Sequence, residues 1–296
     1  MQDSSKKYLS WELIEPLLVN LKPVKGGFTN SISGTIELDD GSGLFVKQAQ
    51  DSDTTIWTKK EIEIYKILNH HNFEYAPKLI SYNKQGSAFA IESMTHDNGW
   101  DWSDKWTDNR IEAIFRVQLS LASVPLSLDE IKIFAEKNRP YFHNGWIELF
   151  KSKSKQKIVS NKLPNNFNID FIKELYLSQQ FKPVRTAIVH NDLRSSNSVY
   201  SKKLDKVMLV DWPWSEIGDS RIDTNALLVN ISLSGFDITK KYLKKLDFLA
   251  LHYLAGFWFE SSTKEYKNIH SKPAHELQFN SAIKALELAN LMYKIN

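Results

Sequence analysis

The sequence predicts an α+β chain of two lobes. A small β-rich amino-terminal lobe with one key helix takes residues 1–94, and a larger, mainly helical lobe takes 95–296. Three observations carry this prediction. Short apolar runs separated by turn residues fill 24–50 and recur over 78–91. A single long helical pattern, 53–69, interrupts them. From about residue 103 helical spacing dominates, except in 187–218, which reads as strand and loop. At 296 residues the chain exceeds a typical single domain, which fits two lobes.

Taken in order, Gly26-Gly27 opens a loop, 34–38 is a strand, 39–43 is turn-rich and 44–49 is a second strand. That is a hairpin pattern. The helix over 53–69 has Ser52 or Asp53 as its cap, and Pro77 marks the following break. Strands follow over 78–82 and 87–91, and the polar stretch 92–98 forms the lobe boundary. The segment KSKSKQK, 151–157, sets four lysines at alternate positions and reads as a solvated face. The longest apolar run, 248–259, carries His252 and falls well short of the roughly 20 residues a membrane span needs, so it predicts a buried helix. Near the amino terminus the apolar stretch is broken by Glu15 and Pro16, with no small-residue cleavage site after it. The expectation is a soluble, cytoplasmic chain with no membrane partner.

Composition excludes several classes. With 38 basic and 35 acidic side chains the net charge is +3, too mild to imply a nucleic-acid partner without a concentrated patch. There are no cysteines, so disulfides, thiolate zinc sites and cysteine nucleophiles are excluded. Ser195 and Ser196 lie near His190, but no Gly-x-Ser-x-Gly elbow surrounds them. His70-His71 is adjacent rather than i, i+4, a spacing that does not present two metal ligands from one helix face. No pattern speaks to oligomeric state.

The chemistry-bearing stretch is 187–212. An apolar run leads into His190-Asn191-Asp192, Asn197 follows five residues after Asp192, and Asp211 ends an apolar strand fourteen residues later. Phosphoryl transfer explains why such a set is useful. An alcohol needs a carboxylate to orient it and accept its proton, and Mg²⁺ on a nucleotide wants a few oxygen ligands. Asp192 is therefore read as base and orienter, Asn197 and Asp211 as metal ligands, and His190 as a brace for the loop. The alternative is a polar turn between strands, with Asp192 and Asn197 bonding their own backbone.

His190-Asn191-Asp192-Leu193-Arg194-Ser195-Ser196-Asn197 resembles the catalytic loop of the aminoglycoside phosphotransferase and choline kinase superfamily. Val210-Asp211-Trp212 resembles its metal-binding segment, and 218–223 its Gly-Asp-x-x-x-Asp motif. The resemblance implies a protein-kinase-like bilobal fold and an ATP- and Mg²⁺-dependent kinase. Asp219 fits a helix N-cap there, and Asp223 a brace for the loop. Gly26-Gly27-Phe28-Thr29-Asn30-Ser31 is similar to the family's glycine-containing loop, which assigns Gly27, Phe28, Thr29 and Asn30 to the nucleotide. Glu92-Ser93-Met94 corresponds to the hinge whose backbone meets the adenine, with Glu92 and Met94 as its contacts. Arg194, where the family often has His, and Asn191, where it often has Gly, are departures. Arg194, two after the base, is assigned to steady the γ-phosphate.

Lys47 lies mid-strand on the face opposite Leu44 and Val46, where a solvent-facing lysine is the ordinary reading. The next helix shifts that balance. Trp57, Ile64, Tyr65 and Leu68 form one apolar stripe, and Glu61 lies on it. A carboxylate on a buried face needs a partner, and Lys47, fourteen positions upstream, is the obvious one. Kinase-like folds use such a pair to hold the α- and β-phosphates.

Only seven residues separate Asp211 from Asp219, which leaves no room for a long activation segment and points to a small-molecule hydroxyl substrate rather than a protein. An aminoglycoside-like or amino-sugar acceptor leads. A choline- or homoserine-type amino alcohol and a non-catalytic nucleotide-binding regulator are the alternatives. Asp97, Asp101, Asp104, Asp108, Glu216, Glu260 and Glu265 could supply an acidic pocket, though they read equally as solvated surface. Trp100, Trp102 and Trp106 are read as core, whereas Trp212 and Trp214 are expected to line the site.

Overall fold

The computed structural model describes residues 9–24, 29–135, 142–165, 167–178, 180–265 and 271–295. In chain order the first elements are α1 (Trp11–Ile14), β1 (Lys22–Pro23), β2 (Ser31–Glu37), β3 (Gly43–Ala49) and α2 (Ser52–His70). Then come β4 (Leu79–Tyr82), β5 (Ala88–Glu92), α3 (Asp108–Ala122), α4 (Leu128–Ala135), α5 (Gly145–Lys151), α6 (Lys153–Ser160) and α7 (Ile169–Ser178). The remainder is β6 (Ala187–Val189), β7 (Ser198–Ser201), β8 (Lys206–Leu209), β9 (Glu216–Gly218), α8 (Ser220–Leu233), α9 (Phe248–Ser262) and α10 (Ser271–Ile295). The chain packs as two units. One comprises Met1–Ser103, Thr107–Phe134 and Ser195–Ser215; the other comprises Asp104–Trp106, Ala135–Arg194 and Glu216–Asn296.

The first unit is built on an antiparallel sheet in the order β1-β2-β3-β5-β4. Alternation assigns its faces. Leu44 and Val46 point into a core with Ile36, Ala88, Ala90, Trp11 and Ile14. Lys47, opposite Phe89 in the β3–β5 register, therefore lies on the other face, where Phe89 meets Tyr65 of α2 at a ring separation of 5.7 Å. The two-residue edge strand β1 was not expected. It pairs Pro23 with Gly34, and a Cβ on Gly34 would sit 2.6 Å from the Lys22 carbonyl, so the approach requires glycine.

Helix α2 starts one residue earlier than expected, and Asp51 caps it rather than Ser52 or Asp53. The Asp51 carboxylate accepts from the Thr54 N–H at 2.8 Å, and the Thr54 hydroxyl accepts from the Asp51 N–H at 3.0 Å. This reciprocal pair satisfies two amides that a cap at 52 would leave exposed. The β7–β8 hairpin, with Ser198 opposite Leu209, completes this unit together with α3 and α4.

The second unit is helical, with one short pairing of β6 and β9. The apolar run beginning at Phe248 forms α9, capped by Asp247 and buried over most of its length. Helices α5 and α9 touch backbone to backbone: a Cβ on Gly145 would meet the Gly256 carbonyl at 2.1 Å. Trp146 packs on Gly256, with its indole N–H donating to the His252 carbonyl at 2.7 Å. Among the described residues, no helix is long and apolar enough to cross a membrane.

Candidate active site

Within the first unit, β3, α2 and the β7–β8 hairpin bring four of the expected residues to one place. Lys47 Nζ donates to Glu61 Oε2 at 2.8 Å and to Asp211 Oδ1 at 2.7 Å. Glu61 is buried, and its other oxygen accepts from the Trp212 N–H at 3.4 Å. Burial pushes the Lys47 ammonium down, but the Asp211 and Glu61 carboxylates outweigh it and hold the group above the usual lysine range. Burial and the like charge of Asp211 raise Glu61 despite the lysine. Lys47 is thus a fixed cation between two carboxylates.

The antiparallel hairpin carries Asn197 just before β7 and Asp211 just after β8, so both fall at the same end. The Val210 N–H closes that end by donating to the Asn197 carbonyl at 3.0 Å. Asn197 is buried, and its side-chain oxygen accepts from the Ser196 hydroxyl at 3.2 Å. Asp211 has φ of +67°, a left-handed conformation that costs on the order of 1 kcal/mol or more in a residue with a Cβ. Helix α2 anchors this strained segment three times. Glu61 holds the Trp212 amide, Lys60 Nζ donates to the Ser215 carbonyl at 2.5 Å, and Trp57 packs on Trp214 at 5.2 Å. An amide oxygen and a carboxylate on one hairpin end match the donor set of Mg²⁺, which binds through one or two protein oxygens and retains water.

Sequence reading missed Arg110, in the first turn of α3. It is almost fully buried. Its guanidinium donates to the carbonyls of Ser103, Ser195 and Ser198, the last two flanking Asn197. A basic residue on an otherwise apolar helix face was the available signal, and its carbonyl partners 85 and 88 positions away carry none.

Asp192, His190 and Arg194 belong to the second unit and form a cluster there. Arg194 Nη2 lies 3.2 Å from Asp192 Oδ2. His190 is buried, and its Nδ1 accepts from the Asp192 N–H at 3.3 Å. Asp223 braces the loop, accepting from the His190 N–H at 3.1 Å and the Asn191 N–H at 2.9 Å. Asn191 sits at φ of +65°, where a glycine would be unstrained. Asp219 caps α8 by accepting from the Arg221 N–H at 2.9 Å.

Among the remaining expected nucleotide contacts, Asn30, Glu92 and Met94 have structural partners. Gly27 and Phe28, with Gly26, lie outside the described residues. Thr29 is half-buried, and Asn30 is exposed and donates to the Asp51 carboxylate at 3.2 Å. The Glu92 amide donates to the Lys78 carbonyl at 3.0 Å, while its carboxylate accepts from the Lys78 amide at 3.2 Å. The Met94 carbonyl accepts from the Trp102 indole at 2.6 Å.

Several expectations are corrected. Trp212 does not line an opening: it is fully buried, against Phe73, with its indole donating to the Leu209 carbonyl at 3.2 Å. Trp106 is core, but Trp100 and Trp102 are only half-buried, and the Trp102 indole donates to the Met94 carbonyl. Glu216 and Glu260 are not solvated surface. Both are buried, Glu216 with Arg185 at 3.2 Å and Glu260 with Lys155 at 2.9 Å. Lys155 therefore points inward from a segment read as fully solvated. Asp97, Asp101, Asp104 and Asp108 are exposed.

No protein-family profile matches the chain, and neither does any curated protein. Solved structures do match over nearly full length. A spectinomycin phosphotransferase in complex with ADP and spectinomycin aligns at 13% identity, 96% of this chain and 98% of that one, with a TM-score of 0.59. The choline kinase of Streptococcus pneumoniae aligns at 13% identity, 92% and 98% coverage and a TM-score of 0.54. An ethanolamine kinase of Plasmodium vivax aligns at 12% identity, 90% and 85% coverage and a TM-score of 0.54. At such identities the likeness is one of fold: the chain shares the bilobal, protein-kinase-like fold of these small-molecule kinases.

Proposed function

We propose that this protein is an ATP- and Mg²⁺-dependent kinase that transfers the γ-phosphate to a hydroxyl of a small molecule. The observation that carries this reading is the Lys47–Glu61–Asp211 ion network with Asn197 beside it. The first unit then holds the nucleotide: Lys47, steadied by Glu61, pairs with the α- and β-phosphates, and Asn197 and Asp211 hold the metal. When bound, Mg²⁺ neutralises phosphate charge.

Asp192, five positions before Asn197, orients the acceptor hydroxyl and takes its proton as the oxygen attacks the γ-phosphorus and ADP departs. Arg194 keeps the Asp192 carboxylate in position and supplies positive charge for the transferring group. His190 and Asp223 fix the backbone that presents Asp192.

The acceptor class is an amine-bearing alcohol, an amino sugar first. A smaller amino alcohol is the second reading, favoured by the pairing of Glu216 and Glu260 with basic side chains, which neutralises two carboxylates a polycation would need. The test is Mg²⁺-dependent ADP release across a panel of amino sugars and amino alcohols. Asp192→Asn should lower turnover by ~10²–10⁴-fold yet keep stabilisation by Mg²⁺-ATP. Stabilisation by Mg²⁺-ATP with no turnover on any compound refutes the kinase reading in favour of a nucleotide-binding regulator.

A further inference from the structure

We propose that His70, His71 and Glu130 form a zinc-type divalent cation site that pins the end of α2 to the first turn of α4. All three residues lie in the first unit. One ligand atom from each falls within 4.8 Å of the other two. His71 Nε2 and Glu130 Oε1 are already 3.0 Å apart. Ligands of a tetrahedral zinc ion, each about 2.0–2.1 Å from the metal, stand about 3.3 Å from one another. Small side-chain rotations therefore suffice to close the set.

Adjacent histidines converge here because the helix stops between them. His70 is the last residue of α2, and His71 is its C-cap, with ψ of 7°. The turn out of the helix brings the two rings edge to face at 5.0 Å. Glu130 is held from behind, its second oxygen accepting from the Ser127 N–H at 2.8 Å, so the oxygen facing His71 is preoriented.

His70 and Glu130 line an open depression of about 400 Å³ with Lys66, Ile67 and Asn69. That opening gives an ion a way in and leaves room for water as fourth ligand. The nearby cation is engaged elsewhere: Lys66 Nζ pairs with Glu63 at 2.7 Å and lies 4.2 Å from the Tyr82 ring centroid. Two imidazoles and a carboxylate suit zinc and its neighbours, and disfavour magnesium and calcium, which take oxygen ligands.

The test uses the full chain stripped with a chelator and titrated with Zn²⁺ alone, followed by calorimetry and thermal unfolding. Co²⁺ substitution reports geometry through the visible absorption of a tetrahedral ion. The expected result is one equivalent bound, a raised Tm, and ~10- to 100-fold weaker binding or worse in His71→Ala and in Glu130→Gln. Glu130→Gln can still accept from Ser127, so it keeps the fold should His71→Ala disturb the helix end. Asp211→Asn should leave the Zn²⁺ titration unchanged, which separates this site from the one proposed for Mg²⁺-ATP. Zn²⁺ binding that is absent, or that survives His71→Ala and Glu130→Gln while failing in Asp211→Asn, overturns the proposal.

Discussion

Replacing Glu61 with Gln removes one negative charge while keeping the volume and an oxygen for the Trp212 amide. Lys47 Nζ lies 2.8 Å from Glu61 and 2.7 Å from Asp211, so the lysine is shared between a partner on α2 and a proposed metal ligand. Without the Glu61 charge, the ammonium draws on Asp211 alone and competes with the cation for it. A hydrogen bond to a charged group contributes about 1.5–3 kcal/mol. At 1.36 kcal/mol per decade that is a ~10- to 100-fold loss in Mg²⁺-ATP affinity. Fold stability should move less, because the burial cost of the carboxylate disappears along with its ion pair. Calorimetric titration of Mg²⁺-ATP, repeated over a range of Mg²⁺ concentrations, reads the effect without requiring the acceptor. The variant should also need more Mg²⁺ to reach half-saturation. Affinity within twofold of wild type, with unchanged Mg²⁺ dependence, would refute the view that Glu61 positions Lys47 and spares Asp211.

Three further outcomes are expected. Arg110→Met strands the carbonyls of Ser103, Ser195 and Ser198, so urea unfolding should report a loss of about 2–4 kcal/mol; under about 1 kcal/mol contradicts the buried role. Asn191→Gly should hold or gain up to ~1 kcal/mol because it relieves the positive φ, whereas Asn191→Val should lose ~1–3 kcal/mol in the same assay. Burial pushes the His252 imidazole down to about 4, against about 6.5 in an unfolded chain. The unfolded state therefore takes up a proton first as pH falls, so stability is intact above about pH 6.5 and declines toward pH 4. At pH 5 the loss is about 2 kcal/mol by linkage, and denaturation of His252→Leu at pH 7 and pH 5 should show that much less acid sensitivity.

The sequence by itself determined what short-range pattern can determine. Alternation over 44–49 set Lys47 on the face opposite Leu44 and Val46, and the apolar stripe through Trp57, Ile64 and Leu68 singled out Glu61 as a carboxylate needing a partner. The spacing from Asp192 through Asn197 to Asp211 was legible because those residues ride on adjacent loop and hairpin elements. Only the tertiary structure decided who meets whom across long separations. It joined Lys47 to Asp211, 164 positions on, and Arg110 to the carbonyls flanking Asn197. It buried Trp212, neutralised Glu260 with Lys155, and turned an adjacent histidine pair toward Glu130. The physical reason is the range of the forces involved. Periodicity reports which face of an element leaves water, but a buried polar group is satisfied by whichever partner the packing delivers, and that partner leaves no mark on the local pattern.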